Sequence, residues 1–321
     1  MISVIVPTRN RAHLLSRALQ SIAAQTLARE HFEVIVVDNG STDETARVVA
    51  DHALRLSNLR SVRELRPGLH AGRHRGLREA RGDLLVFVDD DIEAVPGWLA
   101  AIVEAFADPE VVMVGGNNLP RFEQTPPGWL LRLWERPVYG GQAIPWLSIL
   151  RLPDGIRLIA PTYVWGCNFA IRRQTLLDAG GFHPDAMPRE LIRFRGDGET
   201  HVSRQVAALG LKCLFHSGAT VFHFVSAARM TFGYFRQRAF DQGISDSFAD
   251  LRLGRRTAWL GLRSFALFAS RWLRSSLEMN PELRELRRCM AVGYREGYDF
   301  HQRAYREDIE VRNWVMKTNF F

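Results

Sequence analysis

Three adjacent carboxylates, Asp89-Asp90-Asp91, directly follow the aliphatic run Leu84-Leu85-Val86-Phe87-Val88. A five-residue run of that composition reads as a strand buried on both faces, and it delivers the acidic triplet into a loop at one edge of a sheet. Like charges this close resist ionising together unless a cation compensates them. The fold therefore has to end a buried strand where positive charge can stand. Hard oxygen ligands in such a cluster suit Mg2+ or Mn2+. A solvated acidic turn ahead of Pro96 is the alternative.

Residues 2–6, 32–37 and 111–114 are further Val- and Ile-rich runs. Between the first two, His13, Leu14, Leu15, Ala18, Leu19 and Ile22 recur at helical spacing just after Asn10, which reads as the cap. Ser41 or Thr42 caps a second helix whose first turn carries Asp43 and Glu44, where the helix dipole favours negative charge. Residues 59–65 supply another strand and 71–80 another helix. Alternation of this kind predicts an α/β fold with a mostly parallel central sheet flanked by helices, and ligands collect beyond the carboxyl ends of such strands. The loops delivered there are 7–11, 38–42 and 89–93. Asp38 can accept a hydrogen bond from a nucleobase or a ribose there, or close an Asx turn in Asp38-Asn39-Gly40-Ser41.

Residues 117–161 mix Pro and Gly with Trp129, Trp134, Tyr139 and Trp146, and Tyr163 follows just beyond, with no clear period. This stretch reads as a lid or acceptor-side insertion in a domain spanning 1–228. A turn at Gly180-Gly181, a helix over 200–209 stopped by Gly210, and strands at 212–215 and 220–224 complete that domain. Residues 229–321 read as a helical, arginine-rich extension.

The formal net charge is +7, from 42 Lys and Arg against 35 Asp and Glu, which suits an anionic substrate, an acidic lipid surface or nucleic acid. No zinc spacing, helix-turn-helix signature or aromatic and basic alternation accompanies it, so no nucleic acid is expected as a partner. Cys167, Cys213 and Cys289 are far apart and read as neutral thiols. The run at 2–6 is too short for a signal peptide and no stretch reaches about 18 apolar residues, so a cytoplasmic location is expected. Trp259, Leu260, Leu262, Phe265, Leu267, Phe268, Trp272 and Leu273 share a helix with Arg255, Arg256, Arg263, Arg271 and Arg274. That helix could lie peripherally on an anionic membrane, pack on the rest of the chain or join two copies in a homodimer.

Three segments in order, Ser3-Val4-Ile5-Val6-Pro7-Thr8-Arg9-Asn10-Arg11, Val36-Val37-Asp38-Asn39-Gly40-Ser41-Thr42-Asp43, and residues 80–91 ending in Asp89-Asp90-Asp91, resemble the nucleotide-binding half of glycosyltransferase family 2. The resemblance runs on through Gly166-Cys167-Asn168-Phe169 and Gly180-Gly181-Phe182 and covers about residues 2–223. It implies the GT-A nucleotide-diphospho-sugar transferase fold, a divalent metal (Mn2+ or Mg2+) and inversion at the anomeric carbon. It further implies that Pro7, Thr8 and Arg11 line the nucleotide site and that Asp38 meets the base. Asp89 and Asp90 would then lie near the ribose or diphosphate, Asp91 would be the principal metal carboxylate, and Asn168 would lie under the donor sugar. His223 is either a third metal ligand or a satisfied core histidine. The chain departs from the family pattern at His74, where most relatives carry Asn after an Ala-Arg pair.

The catalytic base expected of an inverting family member falls on Asp197 or Glu199. Alignment on Asp197 lengthens the following helix, whereas spacing back from Gly210 and Val202 favours Glu199, and both remain candidates. The resemblance implies a nucleotide-sugar donor, UDP-linked first and dTDP- or GDP-linked after it. The absence of a Gln-x-x-Arg-Trp motif implies addition of one sugar. A glycan, a lipid-linked sugar, a peptide or a small natural product would serve as acceptor, with Arg229, Arg236 and Arg238 meeting an acidic group on it. The competing readings are a nucleotidyltransferase, a nucleotide-sugar-binding protein and, behind these, a basic nucleic-acid-binding protein.

Overall fold

The computed structural model describes residues 1–138, 140–254 and 257–321, with the side chains of Val138 and of residues 257–262 outside the description. Tyr139, Arg255 and Arg256, and the side chains of Trp259, Leu260 and Leu262, on which the sequence reading drew, therefore lie outside the described residues. The first half holds strands β1 (Ile2–Thr8), β2 (Phe32–Asp38), β3 (Leu59–Arg63), β4 (Leu84–Val88), β5 (Ile92–Ala94), β6 (Val111–Gly115), β7 (Asn118–Phe122), β8 (Pro137–Val138), β9 (Gly141–Ile144), β10 (Ile149–Arg151) and β11 (Ile156–Leu158). β12 (Asn168–Arg172), β13 (Lys212–His216) and β14 (Val221–Val225) follow. The helices are α1 (Ala12–Ala23), α2 (Thr45–Ala53), α3 (Leu69–Glu79), α4 (Trp98–Ala105), α5 (Gly128–Trp134), α6 (Arg173–Asp178) and α7 (Thr200–Ala208), then α8 (Phe232–Arg252), α9 (Thr257–Ser276), α10 (Pro281–Glu307) and α11 (Ile309–Val315).

One sheet has the order β11-β13-β6-β12-β4-β1-β2-β3 and a second the order β5-β14-β7-β10-β9-β8. The half running from β4 through β1 and β2 to β3 is parallel throughout, and β12 enters antiparallel between β4 and β6. Period-two alternation explains why these strands are aliphatic on both faces. Val4, Val34 and Val86 point to the side covered by Leu15 and Leu19 of α1 and Trp98 and Ile102 of α4. Ile5, Ile35, Leu85 and Phe87 point to the side covered by Leu77 of α3, Leu176 of α6 and Val202 and Val206 of α7. Gly210 stops α7 at a φ of 64°, in agreement with the sequence expectation.

The first two helix starts differ from expectation. Asn10 is not a cap but a left-handed residue with φ 54°. The first N–H of α1, on Ala12, donates instead to the Asp43 carboxylate at 3.0 Å, and the same carboxylate accepts the Thr45 N–H at 3.1 Å and the Thr45 hydroxyl at 2.6 Å. Asp43 thus precedes α2 rather than lying in its first turn, and one short acidic side chain between two helix amino termini serves both. The Thr45 hydroxyl and Ala12 N–H hold its carboxyl below the usual range. Asn10 Oδ1 also accepts the Thr42 N–H at 2.7 Å. These bonds tie the first two strand-end loops together.

Residues 117–161 are not an irregular lid. They supply β7, β8, β9 and β10 of the second sheet, in strands of two to five residues, too short to carry a visible period. Trp129 is a core residue whose ring meets Phe232 and Phe235 edge-on at 5.1 and 5.3 Å. It shares that core with Ile144, Leu147, Ile149, Leu283 and Leu286, so this sheet docks on α8 and α10. Those two helices cross closely, because a Cβ at Gly243, Gly293 or Gly297 would meet a backbone carbonyl of the opposite helix. Among the described residues no helix is long and apolar enough to cross a membrane. Cys167 and Cys213 are buried, and burial pushes both thiols up, Cys213 to about 12, which keeps them neutral.

His74, the departure from the family pattern, is buried on α3. Its Nε2 accepts the Phe182 N–H at 2.9 Å, which assigns the proton to Nδ1, and Nδ1 donates to the Phe320 carbonyl at 3.1 Å. The histidine therefore joins α3 to the last residues of the chain. Burial pushes His74 down to about 3, and His70 and His301 down to about 4. Unfolded histidine titrates near 6.5, so as pH falls below that value the unfolded chain takes up protons that the fold refuses. Stability from these three groups is full above pH 6.5 and declines as pH drops toward 4, by on the order of 1–2 kcal/mol per histidine at pH 5. Denaturant titrations at pH 7.5, 6 and 5 should give midpoints that fall with pH, less steeply in His74→Gln; midpoints that stay level contradict the assignment of neutral buried histidines.

Candidate functional site

The carboxyl ends of β1 and β4, the start of α3, the Gly166-Cys167 turn before β12, the start of α7 and the end of β14 enclose a cleft of about 480 Å³. Its acidic floor is the expected triplet. Thr8 donates its hydroxyl to Asp90 at 2.7 Å, and Arg11 spans Asp90 and Asp91 with one 2.7 Å contact to each. Burial pushes the Asp90 carboxyl up to about 7 although Arg11 and Thr8 pull it down. Burial opposes ionisation of Asp91 too, but His223, Arg11 and Arg229 outweigh it and hold that carboxyl below the usual range.

Asp91 Oδ1 is buried and makes no hydrogen bond, with His223 Nε2 3.3 Å from it, and His223 Nδ1 is likewise buried without a partner. Asp89, Asp91 and His223 offer ligand atoms within 4.8 Å of one another, the one such group among the described residues. Two carboxylates and an imidazole converging on an open cleft, with one oxygen left unsatisfied, fit a divalent cation of the Mn2+ or Mg2+ kind.

The structure separates the two base candidates. Glu199, the residue before α7, lies at the cleft wall, accepting from Arg73 at 3.1 Å and from the Gly166 N–H at 3.3 Å. Asp197 is buried behind it, with one oxygen 2.5 Å from His183 Nδ1 and the other 3.1 Å from Arg204. Pro7, Thr8 and Arg11 line the cleft. Asn168 does not reach it: the Asn168 carboxamide accepts from Trp98 Nε1 at 3.0 Å and donates to Asn118 Oδ1 and the Ala219 carbonyl. Asp38 forms the Asx turn, accepting the Ser41 N–H at 2.7 Å, and Asn39 is the neighbour that borders the cleft. Arg229 and Arg238 line the cleft, whereas Arg236 pairs with Glu296 at 2.7 Å elsewhere.

Arg73 was not singled out from the sequence. Its guanidinium is buried 3.7 Å from Asp89 and 3.1 Å from Glu199, and so joins the two acidic groups of the cleft. A signal existed in Gly72 and Gly76, four residues apart, where added Cβ atoms would press on Pro7 and Ile5. They mark the side of α3 laid on β1, and place Arg73 beside the strand ends.

The family model for glycosyl transferase family 2 matches residues 3–178, more than half of the chain. The chain belongs to that family. It is 33% identical over 207 residues to validoxylamine A glucosyltransferase of Streptomyces hygroscopicus subsp. jinggangensis, covering 58% of this chain and 47% of that one. It is 25% identical over 264 residues to a glucosyl-dolichyl phosphate glucuronosyltransferase of Haloferax volcanii, covering 78% and 77%. The match thus spans less than half the length of the Streptomyces relative. Among solved structures, a mannosyltransferase of Pyrobaculum calidifontis in complex with GDP-Man and Mn2+ superposes with a TM-score of 0.54 at 20% identity, over 98% of this chain and 78% of that one. TarS 1–349 of S. aureus in complex with UDP gives 0.50 at 18%, over 95% and 91%. These likenesses establish the GT-A fold that the family resemblance implied.

Within this family member a Cβ at Gly166 would run into the Arg73 guanidinium and be admitted only by shifting it from its Asp89 and Glu199 contacts. Overpacking a buried contact of this kind costs roughly 1–3 kcal/mol. Gly166→Ala should therefore lower the thermal midpoint by several degrees, whereas Gly97→Ala, with nothing within 4 Å of its added Cβ, should not. Equal midpoints for the two variants, read by calorimetry, would contradict the Arg73 placement.

Proposed function

We propose that this chain transfers one sugar from a nucleotide-sugar donor, a UDP-sugar before others, to an acceptor hydroxyl with inversion. The observation that carries the reading is the position of Glu199. Its side chain borders the main cleft and also a second cavity of about 220 Å³, whose wall includes Trp146, Trp165, Ser203 and Gln242. A carboxylate between two cavities can face a donor on one side and an acceptor on the other. Aromatic faces beside hydroxyl and amide groups suit a sugar ring. Arg238 borders both cavities as well, and its buried Nε has no partner.

In this reading the acceptor hydroxyl passes its proton to Glu199 while its oxygen bonds to the anomeric carbon. The bond from that carbon to the diphosphate breaks, and the nucleoside diphosphate leaves from the opposite face. One displacement gives one inversion. Asp89, Asp91 and His223 would hold Mn2+ or Mg2+, which when bound offsets the charge of the departing diphosphate. Arg73 fixes Glu199 through its 3.1 Å contact. Pro7, Thr8 and the Asp38–Asn39 turn form the nucleoside side, and Arg229 stands on the diphosphate side. Asp90 anchors Thr8 and Arg11, and Asn168 supports the floor from behind. Residues 1–228 carry the donor half of this site, and 229–321 close the acceptor half with the second sheet.

A nucleotidyltransferase or a pure binding protein has no use for a carboxylate placed between two cavities. The ligands named with the structural relatives, GDP-Man and UDP, support a nucleoside diphosphate donor here. A glycan, a lipid-linked sugar, a peptide or a small natural product remains within the acceptor classes that the second cavity suits. The decisive comparison is Glu199→Gln against Asp197→Asn, assayed with labelled UDP-sugars over an acceptor panel. Glu199→Gln should keep UDP affinity within about twofold and lose turnover by roughly 10²–10⁴. Asp197→Asn should instead lower the thermal midpoint by disturbing its His183 and Arg204 contacts. Full turnover in Glu199→Gln would overturn the assignment.

A further inference from the structure

Beyond the acceptor cavity lies a third hollow, about 240 Å³, between α8, α9 and α10. Its walls are Ala239, Met290, Ala291, Tyr294 and Trp146, and Arg271, Arg274 and Arg287 line it too. Trp146 also lines the cavity beside Glu199, so the hollow and the proposed acceptor site share that residue as a wall. The three spaces therefore form a series: donor cleft, Glu199, acceptor cavity, Trp146, apolar hollow.

The charges of this hollow are unevenly spent. Arg287 pairs with Glu278 at 3.1 Å. Arg271 lies flat on Tyr294, its guanidinium carbon 3.4 Å from the ring centroid, and Arg274 is exposed. Neither Arg271 nor Arg274 forms an ion pair among the described residues. An apolar trough flanked by two unneutralised guanidinium groups complements a ligand that is apolar along its body and carries a phosphate. Leu273 near the end of α9, and Leu277 and Met279 in the connection after it, are 67%, 82% and 89% exposed, an apolar surface over which a longer chain could leave the protein.

We propose that the acceptor is a lipid phosphate carrying a sugar. Its sugar occupies the cavity beside Glu199, its phosphate meets Arg271 and Arg274, and its hydrocarbon chain starts in the hollow walled by Met290 and Tyr294. This assignment rests on the reading of Glu199 as the base facing the acceptor. It places acceptor selection on the helical extension, away from the donor carboxylates.

The test is calorimetric titration of the full chain with farnesyl phosphate below its micelle concentration, with farnesol and inorganic phosphate as separate arms. Farnesyl phosphate should bind saturably, at least tenfold more tightly than either fragment, and at least tenfold more weakly to the Arg271→Gln/Arg274→Gln double variant. Arg274→Gln alone, whose side chain is exposed, should show a partial loss with an unchanged thermal midpoint. No binding by the wild-type chain, farnesol binding as tightly as its phosphate, inorganic phosphate binding as tightly as the lipid, or undiminished binding by the double variant would each overturn the proposal. Titration with UDP and Mn2+ on the same samples separates the two readings. Intact UDP binding with no farnesyl phosphate binding sinks only this inference, whereas loss of metal-dependent UDP binding sinks the donor site beneath it.

Discussion

Three carboxylates in a row at the end of a buried strand repel one another, and the rest of the cleft is arranged around that repulsion. Asp90 and Asp91 share Arg11 from the loop after β1, Asp89 and Glu199 share Arg73 from α3, and Asp91 also faces His223 of β14 and Arg229 beyond it. Each compensating group comes from a different element, so the charge cluster closes only when the fold does. Compensation is also incomplete. Asp91 Oδ1 keeps no hydrogen bond at a depth where an unsatisfied carboxylate oxygen is costly, and it points into the group that could hold a cation.

The side of Glu199 proposed to take the acceptor follows from a different force. Short strands β7 to β10 cannot bury themselves, and they lean on α8 and α10 through Trp129, Leu147, Phe235 and Leu286. The glycine-lined crossing of α8 with α10 lets α8 lie close, and its other, half-buried face carries Arg238 and Gln242 to the cavity beside Glu199. His74 and Phe320 fasten the end of the chain to α3. Packing of the helical extension and the position of the wall beside Glu199 are thus one property.

The half that carries the acidic triplet was legible because its strands are long enough to show a composition and its loops follow at once. β1, β2, β4 and α7 with its Gly210 stop stand where the sequence places them. What stayed hidden depends on pairs far apart in the chain. Arg73 and Glu199 are 126 positions apart, and no local pattern couples them. Asp43 serves a helix 31 positions earlier, which is why Asn10 looked like the cap. The 117–161 stretch seemed aperiodic because strands of two to five residues are shorter than the window a period needs. Asn168 carries the right motif, yet its three hydrogen bonds go to Trp98, Asn118 and Ala219. A motif places a residue near a site but does not say which way its amide turns.

The account stands most directly on cation compensation at Asp91. Calorimetric titration of UDP into the protein with and without Mn2+, for the wild-type chain and for Asp91→Asn, measures that coupling. The prediction is UDP affinity at least tenfold higher with Mn2+ in the wild-type chain, and no such gain in Asp91→Asn. Equal UDP affinity with and without the metal in the wild-type chain, or a full metal-dependent gain in Asp91→Asn, would contradict it.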